Sequence, residues 1–193
     1  MSGCNASQAS ADELTVHELI SARDVARRVQ ELGDAVSAVN RSGPLHLVVV
    51  LHGAFFFAAE LARAISVPLT FDFIRVASYS GAQSGTLRLL QDLTEPIGDR
   101  DVLIVEDIVD TGQTLEWLLA RMLPVAPRSL RSCALLSRRH RAERVCTPDF
   151  VGFEIGPEFV VGCGLDYNGR FRELEYVGTI DLAATPEICV RVR

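Results

Sequence analysis

The residues best equipped for chemistry crowd into one stretch, Val102–Thr114, which reads VLIVEDIVDTGQT. Two adjacent acids, Glu106 and Asp107, are followed by Asp110, then Thr111, Gly112, Gln113 and Thr114. Neighbouring carboxylates can accept hydrogen bonds from two vicinal hydroxyls, or share a Mg²⁺ with them. A third acid one loop further on can face a reacting centre. The threonines add hydroxyl donors, and Gly112 lets backbone approach a ligand closely. A lone aspartate in a loop is best read as a solvated residue. Glu-Asp-x-x-Asp-Thr-Gly-x-Thr directly after an apolar run is not.

The flanking pattern says how these groups are held. Val102–Val105 is a contiguous apolar run, as in a buried strand, and Leu115, Leu118, Leu119 and Met122 follow at helical spacing. The acids therefore lie where a strand turns into a helix. A helix start exposes unpaired N–H groups and the positive end of the helix dipole, so it attracts phosphate. Phosphate on the helix start and sugar hydroxyls on the paired acids together describe a ribose 5-phosphate.

Other elements are read in the same way. Ser21 with Asp24 resembles a capping box, and Val25, Val29, Leu32, Val36 and Val39 continue as one helical face. Ser42-Gly43-Pro44 ends that helix. His46–Leu51 reads as a buried strand, His52-Gly53 as a turn and about Ala54–Ile65 as a helix. Leu69–Ser78 reads as a strand with Leu69, Phe71 and Phe73 on one face. A small, polar, glycine-bearing segment begins at Ser78, with Leu87–Gln91 as a candidate return strand. Leu115–Leu123 is a helix stopped by Pro124, and Ser129–Leu136 is a further strand. Arg138–Arg144 is basic and, taken alone, a solvated loop. Phe150–Ile155 and Phe159–Gly164 are short apolar runs expected to pair like a hairpin in a small hood, with Tyr176–Ile180 a last strand. Strands alternating with helices imply a mainly parallel α/β sheet flanked by helices, with ligands at the carboxyl ends of its strands.

The totals set limits. A chain of 193 residues suits one domain: a loose tail over 1–12, a core over about 44–145, and a hood over about 146–180 plus part of the N-terminal segment. A net charge of -6 argues against a general nucleic-acid or membrane-surface binder. The five cysteines (Cys4, Cys133, Cys146, Cys163 and Cys189) have no metal-binding spacing, which fits reduced thiols in a cytoplasm. The first residues lack a secretory pattern, and no apolar run approaches the roughly 20 residues of a membrane span.

VEDIVDTGQT closely resembles the diphosphoribosyl-binding motif of type I phosphoribosyltransferases, and PDFVGFEIGPEFVVGCGLDYNGRFREL resembles their 6-oxopurine branch, the hypoxanthine-guanine phosphoribosyltransferases. The similarity runs from about His46 to Ile180. The resemblance implies transfer of a 5-phosphoribosyl group from phosphoribosyl diphosphate to a 6-oxopurine, with Mg²⁺ as cofactor and a homodimer or homotetramer as the assembly. It implies Asp110 near the reacting base, Glu106 and Asp107 on the ribose, and the turn Asp110, Thr111, Gly112, Gln113 and Thr114 on the 5-phosphate. It places His52, Gly53 and Arg172 at the diphosphate, and Ser78 and Tyr79 at the start of a closing loop. Arg138, Phe159, Val160 and Asp166 fall around the purine, and Glu106, Asp107 and Asp166 are the implied metal ligands. Three departures stand out: His52 where the family usually has Lys or Arg, a loop about two residues shorter, and Arg138 in place of a lysine. Two alternatives accompany this reading: a non-catalytic sensor of phosphoribosyl diphosphate or nucleotide, and a transferase preferring xanthine.

Overall fold

The computed structural model describes residues 14–40, 43–78, 87–138 and 144–180. In chain order the elements are β1 Val16–Ile20, α1 Ala22–Val39, β2 Leu45–Leu51, α2 Phe55–Ala64, β3 Leu69–Ser78 and β4 Leu87–Gln91. They continue as β5 Asp101–Val109, α3 Gln113–Met122, β6 Ser129–Arg138, β7 Phe150–Ile155, β8 Val160–Val161 and β9 Val177–Ile180. A short 3-10 turn, Leu123–Val125, closes α3 at the proline.

Among the described residues, six strands form one sheet in the order β4-β3-β2-β5-β6-β7. Every neighbouring pair is parallel except β3 and β4. The central strands are apolar on both faces, as a sheet covered on both sides requires. Alternation assigns Leu47, Val49, Leu103 and Val105 to one face, where they pack with Val29, Leu32 and Val36 of α1 and Phe57 and Leu61 of α2. Val48, Val102 and Ile104 point the other way, onto Leu115, Leu118 and Met122 of α3. Helix α1 begins as expected: Ser21 Oγ accepts from the Asp24 N–H at 3.2 Å. Its last valine, Val39, is exposed rather than packed. Leu87–Gln91 is indeed a strand, antiparallel to β3.

A second, three-stranded sheet has the order β1-β9-β8. Its composition corrects one expectation. Phe150–Ile155 and Phe159–Gly164 do not pair as a hairpin. Strand β7 continues the main sheet, with Cys133 opposite Phe150 and Arg138 opposite Ile155. Only Val160–Val161 enters the small sheet, against Thr179 and Gly178. The reason lies in the free edge of β6, which offers a longer run of backbone partners than β8 can. Arg28 of α1 secures the arrangement by donating to the Val151 and Gly152 carbonyls, both at 2.8 Å. The small sheet therefore begins after Ile155, and one of its edges is β1, the part of the N-terminal segment that joins it, although Val16–Ile20 was not read as a strand.

Candidate active site

The carboxyl ends of β2 and β5 lie side by side, and the candidate residues are built on the turns that leave them. After β5 the chain turns through Asp110–Gly112 into α3. Gly112 is the residue before the helix, with φ 85 and no side chain of its own to cap it, and the Gln113 N–H reaches Thr111 Oγ1 at 3.4 Å. Two constraints make glycine necessary there. The angle lies in the left-handed region, and an added Cβ would sit 2.4 Å from the Cys146 carbonyl oxygen. The Val145 N–H donates to the Thr111 carbonyl at 2.9 Å and closes that side of the turn. The result is a cavity of about 100 Å³ lined by Glu106, Ile108 and the run from Val109 to Leu115, so the start of α3 borders it. Thr111, Gly112, Gln113 and Thr114 thus all border one cavity, together with Glu106 and Asp110.

Glu106 is buried, and its Oε1 has no hydrogen-bond partner among the described residues. Burial, with the Asp107 charge beside it, pushes its carboxyl up to about 8 from the ordinary 4.5. Asp107 is also raised, chiefly by burial; hydrogen bonds, including one from the Ile108 N–H, and the Arg172 charge oppose this, while Asp166 adds to it. Successive strand residues face opposite sides, so the two acids have different neighbours. Glu106 borders the α3 cavity, whereas Asp107 packs against the turn after β2. A Cβ on Gly53 would lie 1.6 Å from Asp107 Oδ2, so the turn can be this close only as glycine. His52 beside it is exposed.

Arg172 and Asp166 come from the loop between β8 and β9. Arg172 donates to the Gly164 carbonyl at 2.6 Å and pairs with Asp166 Oδ1 at 2.6 Å, while Asp166 Oδ2 accepts from the Gly169 N–H at 2.7 Å. Gly53, Asp107, Asp166 and Arg172 therefore share one side of the β5 end. Glu106, Asp107 and Asp166 do not converge as a preformed metal cluster, and among the described residues no three His, Cys, Asp or Glu side chains do. The opposite facing of Glu106 and Asp107 accounts for this.

Asp110 lies 3.7 Å from Nε of Arg138, the last residue of β6. Arg138 also donates to the Gly156 and Glu158 carbonyls at 2.7 and 2.9 Å. Phe159 keeps 39% of its surface exposed, and its ring meets Tyr167 edge-to-face at 5.7 Å. Val160 is buried in β8. Ser78 ends β3, and Tyr79 and the rest of the expected closing loop lie outside the described residues. Sequence reasoning misses Tyr167, Gly164 and the carbonyls of Gly156 and Glu158. Tyr167 has a signal, its place in Leu165-Asp166-Tyr167; backbone carbonyls have none.

A family model described as a phosphoribosyl transferase domain matches residues 21–168. The chain belongs to that family. Its parallel sheet with flanking helices and separate small sheet is the type I phosphoribosyltransferase fold. Over 84% of its length it is 44% identical to the hypoxanthine-guanine phosphoribosyltransferase of Mycobacterium tuberculosis, covering 85% of that protein. It is 38% identical to the hypoxanthine phosphoribosyltransferase of Escherichia coli, over 87% of this chain and 97% of that protein. Among solved structures, the hypoxanthine phosphoribosyltransferase of Trypanosoma cruzi in complex with the product IMP superposes with a TM-score of 0.81 at 32% identity, over 92% of this phosphoribosyltransferase and all of that chain. No helix among the described residues is long and apolar enough to cross a membrane.

Proposed function

We propose that this phosphoribosyltransferase moves a 5-phosphoribosyl group from phosphoribosyl diphosphate to hypoxanthine or guanine, releasing diphosphate and forming IMP or GMP. One observation carries the reading: a buried carboxyl oxygen of Glu106, unpartnered among the described residues, and the start of α3 border the same small cavity. An open acceptor beside a helix start fits a ligand with an anionic end and hydroxyls.

The 5-phosphate takes the amides of the Thr111–Thr114 turn. Glu106 and Asp107 bracket the ribose from either side of the β5 end. The leaving diphosphate lies towards Gly53, His52 and Arg172, where a positive guanidinium stands against developing negative charge. Phe159 stacks on the base, with Val160 behind it. Asp110 sits where it can take or return a proton at the purine nitrogen N7 as N9 attacks the sugar carbon. Positioning and electrostatics supply most of the rate, because no covalent enzyme intermediate is required.

Mg²⁺ fits this donor set. It favours one or two carboxylates plus phosphate oxygens over an all-protein cage, which matches acids that do not cluster by themselves. Asp107 and Asp166, which share one side of the β5 end, would hold it, and when bound it would neutralise diphosphate charge, while Glu106 faces the other side.

The test is direct. Protein incubated with phosphoribosyl diphosphate, Mg²⁺ and each of hypoxanthine, guanine and xanthine should form nucleotide from the first two. Absence of any nucleotide overturns the enzyme reading and leaves the sensor, while xanthine ranking first overturns the base assignment.

A further inference from the structure

We propose that Arg138 is a positioning residue that sets the hood against Asp110, a task lysine cannot perform. The proposal rests on the reading that the hood receives a purine at Phe159.

The Arg138 side chain is only 13% exposed and is committed to protein partners. Nη1 carries two hydrogens, and both are used, on the carbonyls of Gly156 and Glu158. Nε faces Asp110 Oδ2 at 3.7 Å. Only Nη2 is left to face a base. The two carbonyls belong to the segment that crosses from β7 in the main sheet to β8 in the small one. Phe159 follows Glu158 immediately, and Tyr167 supports its ring. One rigid, planar group thus connects the acid at the end of β5 to the backbone that carries the base-facing ring. The anchor itself is held, because Arg144 donates both to Ser137 Oγ and to the Arg138 carbonyl.

A cation that merely donated to the base could be lysine as well as arginine. A fork that holds two carbonyls on Nη1 while Nε stands 3.7 Å from a carboxylate could not, because lysine has one nitrogen, on a stem one bond shorter, and cannot reach both carbonyls and the acid at once. Loss of the fork leaves the crossing segment free to shift and should weaken capture of the base. Among the described residues the Gly53 side makes no hydrogen bond to Arg138, and the phosphate turn meets it only through the carboxylate of Asp110, so the contacts to phosphoribosyl diphosphate should change far less.

The experiment compares Arg138→Lys and Arg138→Ala with the parent, varying base and phosphoribosyl diphosphate separately, and follows amide exchange over residues 156–160. In the lysine variant the KM for base should rise about tenfold or more as hydrogen bonds to the carbonyls are lost. The KM for phosphoribosyl diphosphate should stay within about twofold. Exchange over 156–160 should quicken, and methylguanidinium, not methylammonium, should restore turnover to Arg138→Ala. A lysine variant with parental base KM and parental exchange overturns the proposal, and so does equal rescue by both amines. If the parent forms no nucleotide, the functional reading fails, and the exchange comparison still decides what Arg138 does. If the lysine variant does not fold, rescue of the alanine variant decides.

Discussion

Glu106→Gln should make the protein more stable and less able to bind its ligand, and the gain should depend on pH. Glu106 is 5% exposed, and its carboxyl is pushed up to about 8 from 4.5. In the unfolded chain it ionises near 4.5, while in the empty folded site it holds its proton until about 8. Between those values the folded state binds more protons, so stability falls as pH rises through that window. At about 1.4 kcal/mol per pH unit, the loss reaches roughly 3 kcal/mol at pH 7. Glutamine has the same shape and no charge to bury, so it escapes that loss. In a protein of this size each kcal/mol shifts Tm by about 2–4 °C, so the variant should melt roughly 6–12 °C higher at pH 7. The two proteins should melt alike near pH 4.5 and differ most above pH 8. Thermal melts from pH 4.5 to 9 read this directly. The same variant should bind phosphoribosyl diphosphate with Mg²⁺ at least about tenfold more weakly, since an amide replaces a charged acceptor. A Tm difference that is flat with pH would refute the reasoning, because Glu106 would then ionise in the folded protein as it does in the unfolded one.

Three further outcomes are expected. Asp110→Asn should lower kcat by about two orders of magnitude or more while nucleotide affinity, read by calorimetry, changes little; parental turnover would remove Asp110 from the chemistry. Gly112→Ala brings a Cβ to 2.4 Å from the Cys146 carbonyl at φ +85, so it should cost about 1–3 kcal/mol in a urea melt and weaken inorganic phosphate as a competitor. His46 is buried with Nδ1 2.8 Å from Thr70 Oγ1, and burial followed by the Arg100 charge lowers its pKa from 6.5. Its folded state resists the proton, so stability should fall as pH drops below 6.5, and His46→Gln should flatten that limb of the urea-midpoint profile.

The centre of the site was legible because its local signals agree. An apolar run, a break into acids and a helical period succeed one another from Val102 to Met122, and β5, the turn and α3 form where those signals change. Ser21 was equally clear, since a cap bonds only three residues away. The hood was not. Strand β8 has two residues, too few for any period, and β1 is mostly exposed and pairs with the far end of the described chain. A short apolar run such as Phe150–Ile155 suits an edge of either sheet, and what decides its place is the vacant side of β6, a fact of tertiary structure. Residue types within the site could be read; their commitments could not. Arg138 is spent on two main-chain carbonyls and Arg172 on Gly164 and Asp166, and such partners leave no trace in side-chain pattern.

The pairing of β1 with β9 bears on how the molecule is made. Val16 lies opposite Ile180, so the small sheet joins the two extremes of the described chain. The main sheet, by contrast, needs nothing beyond Ile155. During synthesis the scaffold can assemble while the first strand waits, and the small sheet is finished last, when its late partner emerges. A nascent chain halted before Val177 would own the six-stranded scaffold without its companion sheet.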